Sequence, residues 1–189
     1  MPNNLYQTLE DRSNIDDVEQ YGPFKCGRDD AWLGIGYYFW DTFIEYAHWW
    51  GNTVYKYKNK PYIICSSIVH FNEDILYDWM EPHTLPEFGT IAKVLEETYP
   101  GKNITVAFVL EYLKKKAPSF GYQAIRARAE EATRYDRTLG KSQIYFKKEN
   151  KAFLNTHPHI QVCVLNRQFI GQNNFHVIFP PEYAGNYTI

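Results

Sequence analysis

The sequence predicts an α+β fold with a mainly antiparallel sheet. Strand-like segments outnumber helix-like ones, and the longer helix-like segments cluster in the middle of the chain instead of alternating with the strands. The 189 residues are 44% hydrophobic and 22% charged, which is a globular composition. This length favours one domain, so we predict a single domain over residues 1–189.

The first half of the chain contains three predicted strands. A short strand covers 4–8, a second covers 35–39, and the β-branched run "PYIICSSIVHF" predicts a third over 61–71. Between the first two, the polar, aspartate-rich residues 10–30 are predicted to form a loop.

A short helix is predicted over 42–50. Apolar residues recur there at helical spacing. Asp41 is a residue type that caps helix N-termini, and Gly51 is one that ends helices. We therefore expect Asp41 as the N-cap and Gly51 as the stop.

The second half predicts two helices followed by three strands. The helices cover 87–98 and 105–115, with Thr105 near the start of the second. The strands cover 121–128, 159–166 and 175–179.

Charge is divided unevenly along the chain. Residues 1–100 hold 7 Lys and Arg against 16 Asp and Glu, whereas residues 101–189 hold 13 against 6. Two solvated faces of one domain would explain this, and so would a basic surface that binds RNA or DNA, formed by residues 119–151. Contacts with an acidic protein are a third explanation.

The cysteines and the N-terminus indicate an intracellular protein. Cys26, Cys65 and Cys163 are widely spaced and odd in number, which favours reduced thiols over disulfides or a zinc site. The "HPH" at 157–159 is a poor chelate by itself, so we expect no metal site. No signal peptide or membrane-spanning run is apparent, and we expect a cytoplasmic location with no membrane partner.

Aromatic residues are concentrated in "LGIGYYFWDTFIEYAHWW" at 33–50. Gly34 and Gly36 allow close approach of another backbone or of a ligand. Tyr38 and Trp49 either pack in the core or face each other across a cleft and hold a flat ring.

The spacing within this stretch resembles the NAD-binding core of the diphtheria-toxin-like ADP-ribosyltransferases, which include the poly(ADP-ribose) polymerases. "GIGYYF" matches their glycine-rich strand at Tyr38, Ala47 follows nine residues later, and Trp49 two residues after that. The resemblance implies an ADP-ribosyltransferase-like split antiparallel sheet with flanking helices, and NAD as the substrate. It further implies that Tyr38 and Trp49 stack on the nicotinamide, with Gly36 and Ala47 leaving room.

The first strand, "LYQTL", resembles the family's first strand with one departure. Gln7 stands at the position of the family's histidine, which donates a hydrogen bond to a ribose of NAD, and a glutamine amide can donate a similar bond. The backbone of the next residue, Thr8, is implied to hold the nicotinamide amide.

A late strand of the family supplies a glutamate that steadies the transition state. The strand "HIQVCVLN" places Gln161 there, and Glu149 is the alternative carboxylate. Glutamine orients a ribose but is no base at neutral pH. Family members without this glutamate transfer a single ADP-ribose.

The resemblance therefore implies a mono-ADP-ribosyltransferase with a nucleic acid or protein acceptor, whose catalytic residues are Gln7, Tyr38 and Gln161. Small bacterial members include toxins and phage-defence effectors, which implies a cognate antitoxin. A catalytically inactive domain of the same fold that binds NAD, ADP-ribose or a protein is the alternative. An unrelated interaction protein with an aromatic partner surface is a further one.

Overall fold

The computed structural model describes residues 3–117, 119–128, 143–146, 153–171 and 173–184. Within them lie nine strands and four α-helices. The strands are β1 (Asn3–Glu10), β2 (Tyr37–Asp41), β3 (Tyr62–Val69), β4 (Leu76–Asp78), β5 (Ala124–Arg128), β6 (Gln143–Tyr145), β7 (Phe153–Asn155), β8 (Ile160–Val164) and β9 (His176–Phe179). The helices are α1 (Ile15–Tyr21), α2 (Ile44–Trp50), α3 (Leu85–Thr98) and α4 (Val106–Lys116).

Seven of the strands form one sheet, in the order β4–β5–β8–β2–β1–β3–β9. The pair β4–β5 is parallel, and the other neighbours are antiparallel. β6 and β7 form a separate antiparallel ribbon. The α+β class and the mainly antiparallel sheet are thereby confirmed, whereas the more specific ADP-ribosyltransferase-like fold stays a prediction.

The two faces of the sheet carry separate parts of the core. Phe39, Val162 and their neighbours on alternate strand positions pack on one face beneath Val18 of α1. On the other face, Cys163 packs against Leu110 of α4. On that face too, Trp40 and Ile64 pack against α2 through Tyr46 and Ala47. The cleft described below opens on the α2 face.

Helix α1 lies within the segment predicted to be a loop. It has seven residues and buries one of them, Val18, so its apolar periodicity is too short to be recognised. The helix also protects an edge of the sheet, because Glu19 Oε1 accepts a hydrogen bond of 2.8 Å from the backbone N–H of Val177 in β9.

Asp41 does not cap α2. It is the last residue of β2 and is fully buried, and its Oδ2 lies 2.6 Å from Nε of Arg126. Asp78 binds the same guanidinium at 3.1 Å, from Nη1 to Oδ2. Arg126 was predicted to belong to the basic surface of 119–151. Its charge is instead neutralised inside the fold.

Helix α2 ends at Trp50, directly before Gly51 as predicted, but the backbone of Gly51 keeps a right-handed helical conformation. The chain continues through a π-helical turn, Gly51–Tyr55, and a 3₁₀ turn, Lys56–Lys58. A Cβ at residue 51 would lie 2.4 Å from Cδ2 of Tyr62, so glycine is needed there for close packing on β3.

Both helices predicted in the middle of the chain are confirmed. The hydroxyl of Thr105 accepts a hydrogen bond of 3.2 Å from the N–H of Phe108 and caps α4 as expected. Within the described part of the chain, no helix combines the length and apolarity needed to cross a membrane.

Candidate functional site

The site begins where β1 and β2 part. These strands pair only at Leu5–Asp41 and Tyr6–Trp40, whereas β1 pairs with β3 along its whole length. Along an antiparallel strand, every second residue directs its backbone N–H and C=O to the same neighbouring strand. The carbonyl of Asn4 accepts a hydrogen bond from the N–H of Thr42, so Asn4, Tyr6 and Thr8 are the residues of β1 that face β2. The backbone N–H and C=O of Thr8 therefore face β2 too, beyond the last pair, in an open gap.

Residues 22–26, called here the 22–26 segment, enter this gap. The backbone of Cys26 exchanges two hydrogen bonds with Gly36, which extends the line of β2, at 2.7 and 3.2 Å. The segment thus takes the position beside β2 that β1 has left.

The side chain of Gln7 joins β1, β2 and the 22–26 segment. Its Nε2 donates to the carbonyls of Phe24 (2.9 Å) and Tyr38 (3.2 Å), and its Oε1 accepts from the N–H of Phe24 (2.9 Å). Because the N–H of Phe24 must meet an acceptor, the side-chain amide of Gln7 is oriented with Oε1 towards that N–H. Both amide hydrogens are used on backbone, so a hydrogen bond from Gln7 to a ribose requires one of these bonds to open.

A cleft of about 640 Å³ opens beside the gap. Five of the predicted site residues line it, namely Gln7, Thr8, Tyr38, Trp49 and Gln161. Its walls are rich in aromatic rings, which include Trp32, Tyr38, Trp40, Trp49, Trp50 and Tyr55.

Tyr38 is held in place by its hydroxyl group. The hydroxyl accepts a hydrogen bond from the N–H of Leu33 (2.7 Å) and donates one to the carbonyl of Gly34 (2.8 Å). Burial, followed by the proximity of Cys163, raises the pKa of Tyr38 far above its ordinary value. Tyr38 therefore offers the cleft a fixed neutral group.

Trp49 belongs to an aromatic cluster on α2 and β2. Its ring centroid lies 6.0 Å from Trp40, 6.1 Å from Trp50 and 6.1 Å from His159. Tyr38 is not among the ring contacts of Trp49 within the described residues. Both line the same cleft, but their stacking on two faces of one ring stays a prediction.

Ala47 and Gly36 are placed for packing and do not line the cleft. Ala47 is fully buried, and its carbonyl accepts a hydrogen bond of 2.8 Å from Oγ1 of Thr8, which holds α2 close to β1. A Cβ on Gly36 would lie 2.3 Å from Sγ of Cys163. The close approach that glycine permits at residue 36 is therefore to β8.

Gln161 faces the cleft from β8. It lies opposite Trp40 of β2 and Ala127 of β5, on the sheet face that carries α2. Its amide makes no hydrogen bond to any described residue. The resemblance places a carboxylate here, and this position has none.

Charged groups of the cleft come from the loop before β2. The guanidinium of Arg28 lies 5.7 Å from the ring centroid of Trp50 and binds both carboxylate oxygens of Asp30, at 2.8 and 2.6 Å. Asp30 is the only carboxylate among the described lining residues. Neither residue is predicted from the sequence as a site residue, because only the tertiary position of the 22–26 segment brings this loop to the cleft.

His159 also lines the cleft and was considered only as a metal ligand. Its ring centroid lies 4.1 Å from that of Tyr46, edge to face. Side chains alternate along a strand, so the strand predicted over 159–166 would place His159 and Gln161 on one face, although β8 itself begins at Ile160. That alternation is the signal that could have placed it in the site.

Much of the predicted basic surface of 119–151 lies outside the described residues, and so does Glu149, the alternative carboxylate. Arg128 is described and exposed at the end of β5. Where the structure describes side chains, no cluster of three or more His, Cys, Asp or Glu is arranged to hold a metal ion.

Comparisons with protein-family models, with curated proteins and with solved structures find no match to this chain. The resemblance to ADP-ribosyltransferases accordingly rests on the sequence motifs alone. The function that it implies is therefore a proposal.

Proposed function

We propose that this chain binds NAD in the cleft and transfers a single ADP-ribose to a macromolecular acceptor, a nucleic acid or a protein. One observation supports the proposal above others. Five of the seven site residues that the resemblance implies line one cleft at the gap between β1 and β2: Gln7, Thr8, Tyr38, Trp49 and Gln161.

The cleft suits a dinucleotide in size and chemistry. Its volume of about 640 Å³ lies within the range usual for small-molecule sites. Indole and phenol rings offer flat surfaces for the nicotinamide and adenine, and the guanidinium of Arg28 offers donors for a phosphate.

Transfer breaks the bond between ribose C1′ and the nicotinamide nitrogen, whose electron pair leaves with neutral nicotinamide. The acceptor forms the new bond to C1′ and gives up its proton. Because the leaving group begins as a cation, the protein contributes chiefly positioning and charge stabilisation. In this scheme the Thr8 backbone holds the carboxamide and the Gln161 amide orients a ribose hydroxyl.

The test combines binding with turnover. Calorimetry should detect NAD binding, and labelled NAD with a dialysed lysate and purified nucleic acids should give nicotinamide release and a labelled product. Trp49→Leu should weaken binding. Tyr57→Leu removes an aromatic that is 85% exposed and outside the cleft, and should not. Absence of both binding and release in the unmodified chain would refute the proposal.

A catalytically silent NAD- or ADP-ribose-binding domain is the second candidate. Two observations favour it: both amide hydrogens of Gln7 are bonded to backbone, and Gln161 cannot ionise. This candidate predicts saturable NAD binding that Trp49→Leu weakens, with no nicotinamide release under any acceptor.

A further inference from the structure

His159 lines the cleft together with Gln161, the position at which the resemblance places a carboxylate. It directly precedes β8, which begins at Ile160, and stands two residues before Gln161 in the sequence. Its ring is held edge to face at 4.1 Å on Tyr46 and at 6.1 Å from Trp49. It is thus an ionisable ring, positioned by aromatic contacts, in the cleft that Gln161 lines with an uncharged amide.

The tyrosines of the cleft are poor proton acceptors. Burial is the largest cause that raises the pKa of Tyr6, Tyr38 and Tyr55 above the ordinary phenol value. These tyrosines are protonated at neutral pH and cannot act as bases.

The loop side of the cleft offers cations and one neutralised carboxylate. The side chains of Lys25 and Arg28 donate hydrogen bonds and have no acceptor atom. Hydrogen bonds from Arg28 are the main cause that holds the pKa of Asp30 below its ordinary value, which makes this carboxylate a weak base. The remaining group that can exchange a proton is the thiol of Cys26 in the 22–26 segment.

We propose that His159 is the general base that takes the proton from the acceptor nucleophile; this rests on the proposed function. The acceptor's O–H or N–H proton passes to a ring nitrogen, the nucleophile bonds to C1′, and nicotinamide leaves with the electron pair of the broken bond. The imidazolium then returns its proton to water. An imidazole ordinarily titrates near pH 6.5, which suits this task at neutral pH.

This assignment also defines the class of acceptor. A hydroxyl, an amide or a nucleobase N–H holds its proton at neutral pH and needs a base to attack. An acceptor that is already an anion needs none. The cleft is therefore built for a weak, protonated nucleophile, and an anionic nucleophile bypasses His159.

The experiment measures nicotinamide release from NAD by the full chain in a dialysed lysate, with the release in lysate alone subtracted, across pH 5 to 9. Release by the unmodified chain should rise with pH and then level, because a general base must be deprotonated to accept the proton. His159→Gln should lower it about a hundredfold or more with little change in KM and should remove the pH dependence. Sodium azide, an anionic nucleophile, should restore release in His159→Gln.

His157→Gln is the matched control, because His157 packs on Phe43 at 4.9 Å and does not line the cleft. It should keep the rate and pH profile of the unmodified chain. His159→Asn is the second variant, and thermal midpoints verify that each variant is folded.

Three results would overturn the assignment while leaving the transferase proposal intact. They are an unchanged rate and pH profile in folded His159 variants, an equal loss with and without azide, and loss of the pH dependence in Cys26→Ser but not in His159→Gln. If the unmodified chain releases no nicotinamide at all, the proposed transfer itself fails and the assignment falls with it.

Discussion

Replacing Arg126 by methionine should destabilise the protein severely. The guanidinium neutralises Asp41, whose side chain is completely buried, through a 2.6 Å contact between Nε and Oδ2. The remaining polar neighbours of Asp41 are uncharged: the Thr42 hydroxyl donates at 3.0 Å and the Asn3 amide lies at 3.5 Å. Removing one partner of a buried pair costs about 3–5 kcal/mol.

We expect the lower end of that range, because Arg126 is 22% exposed and water can reach the vacated side. A loss of about 3 kcal/mol corresponds to a fall of about 6–12 °C in Tm for a chain of this length. Chemical and thermal denaturation measure it. Asp41→Asn in the Arg126→Met background should recover stability, since it removes the uncompensated charge.

Arg128→Met is the matched control on the same strand. Arg128 is exposed and should change stability by no more than about 0.5 kcal/mol. A loss below about 1 kcal/mol for Arg126→Met, or no recovery in the double variant, would show that the ion pair does not hold β2 to β5. Both arginines lie in the segment predicted to bind the acceptor. Comparing the two variants therefore distinguishes activity lost through instability from activity lost through weaker acceptor binding.

Three further predictions concern the site and its support. Gly36→Ala places a Cβ about 2.3 Å from Sγ of Cys163 and should lower the free energy of unfolding by about 1–3 kcal/mol in denaturation experiments. Cys163→Ala should relieve part of this loss, whereas normal stability with lost NAD binding would instead indicate a ligand contact. Gln7→Leu leaves the N–H and C=O of Phe24 without their side-chain partner, so we expect a loss of about 1–3 kcal/mol and faster hydrogen exchange at Phe24; unchanged exchange would contradict this. Burial lowers the pKa of His48 below 6.5, so the unfolded chain binds a proton more readily. Stability should therefore fall as the pH drops through about 6.5 towards the folded-state pKa, in urea titrations, and His48→Gln should abolish that dependence.

The parts of the site that could be predicted are those that local pattern controls. Runs such as "PYIICSSIVHF" specify strands, and alternation along β8 then assigns Gln161 to a face. The parts that could not be predicted depend on residues distant in sequence. Asp41 before a helix has the pattern of an N-cap, and nothing near it indicates Arg126 as its partner. Gly51 has the pattern of a helix stop, and its actual constraint is the ring of Tyr62.

The gap between β1 and β2 links these observations to chemistry. Two strands that separate leave backbone groups without strand partners, and each must bond to another protein group, to water or to a ligand. Gln7 satisfies the carbonyl of Tyr38 and both backbone groups of Phe24, a task for which an imidazole, with two ring nitrogens, has too few groups. The Gln7 amide thus holds β1, β2 and the 22–26 segment together at the gap, and it has no hydrogen left to donate to a ligand. Under the proposed function, recognition of NAD consequently falls to groups that are not bonded in this way: the backbone of Thr8 and the amide of Gln161.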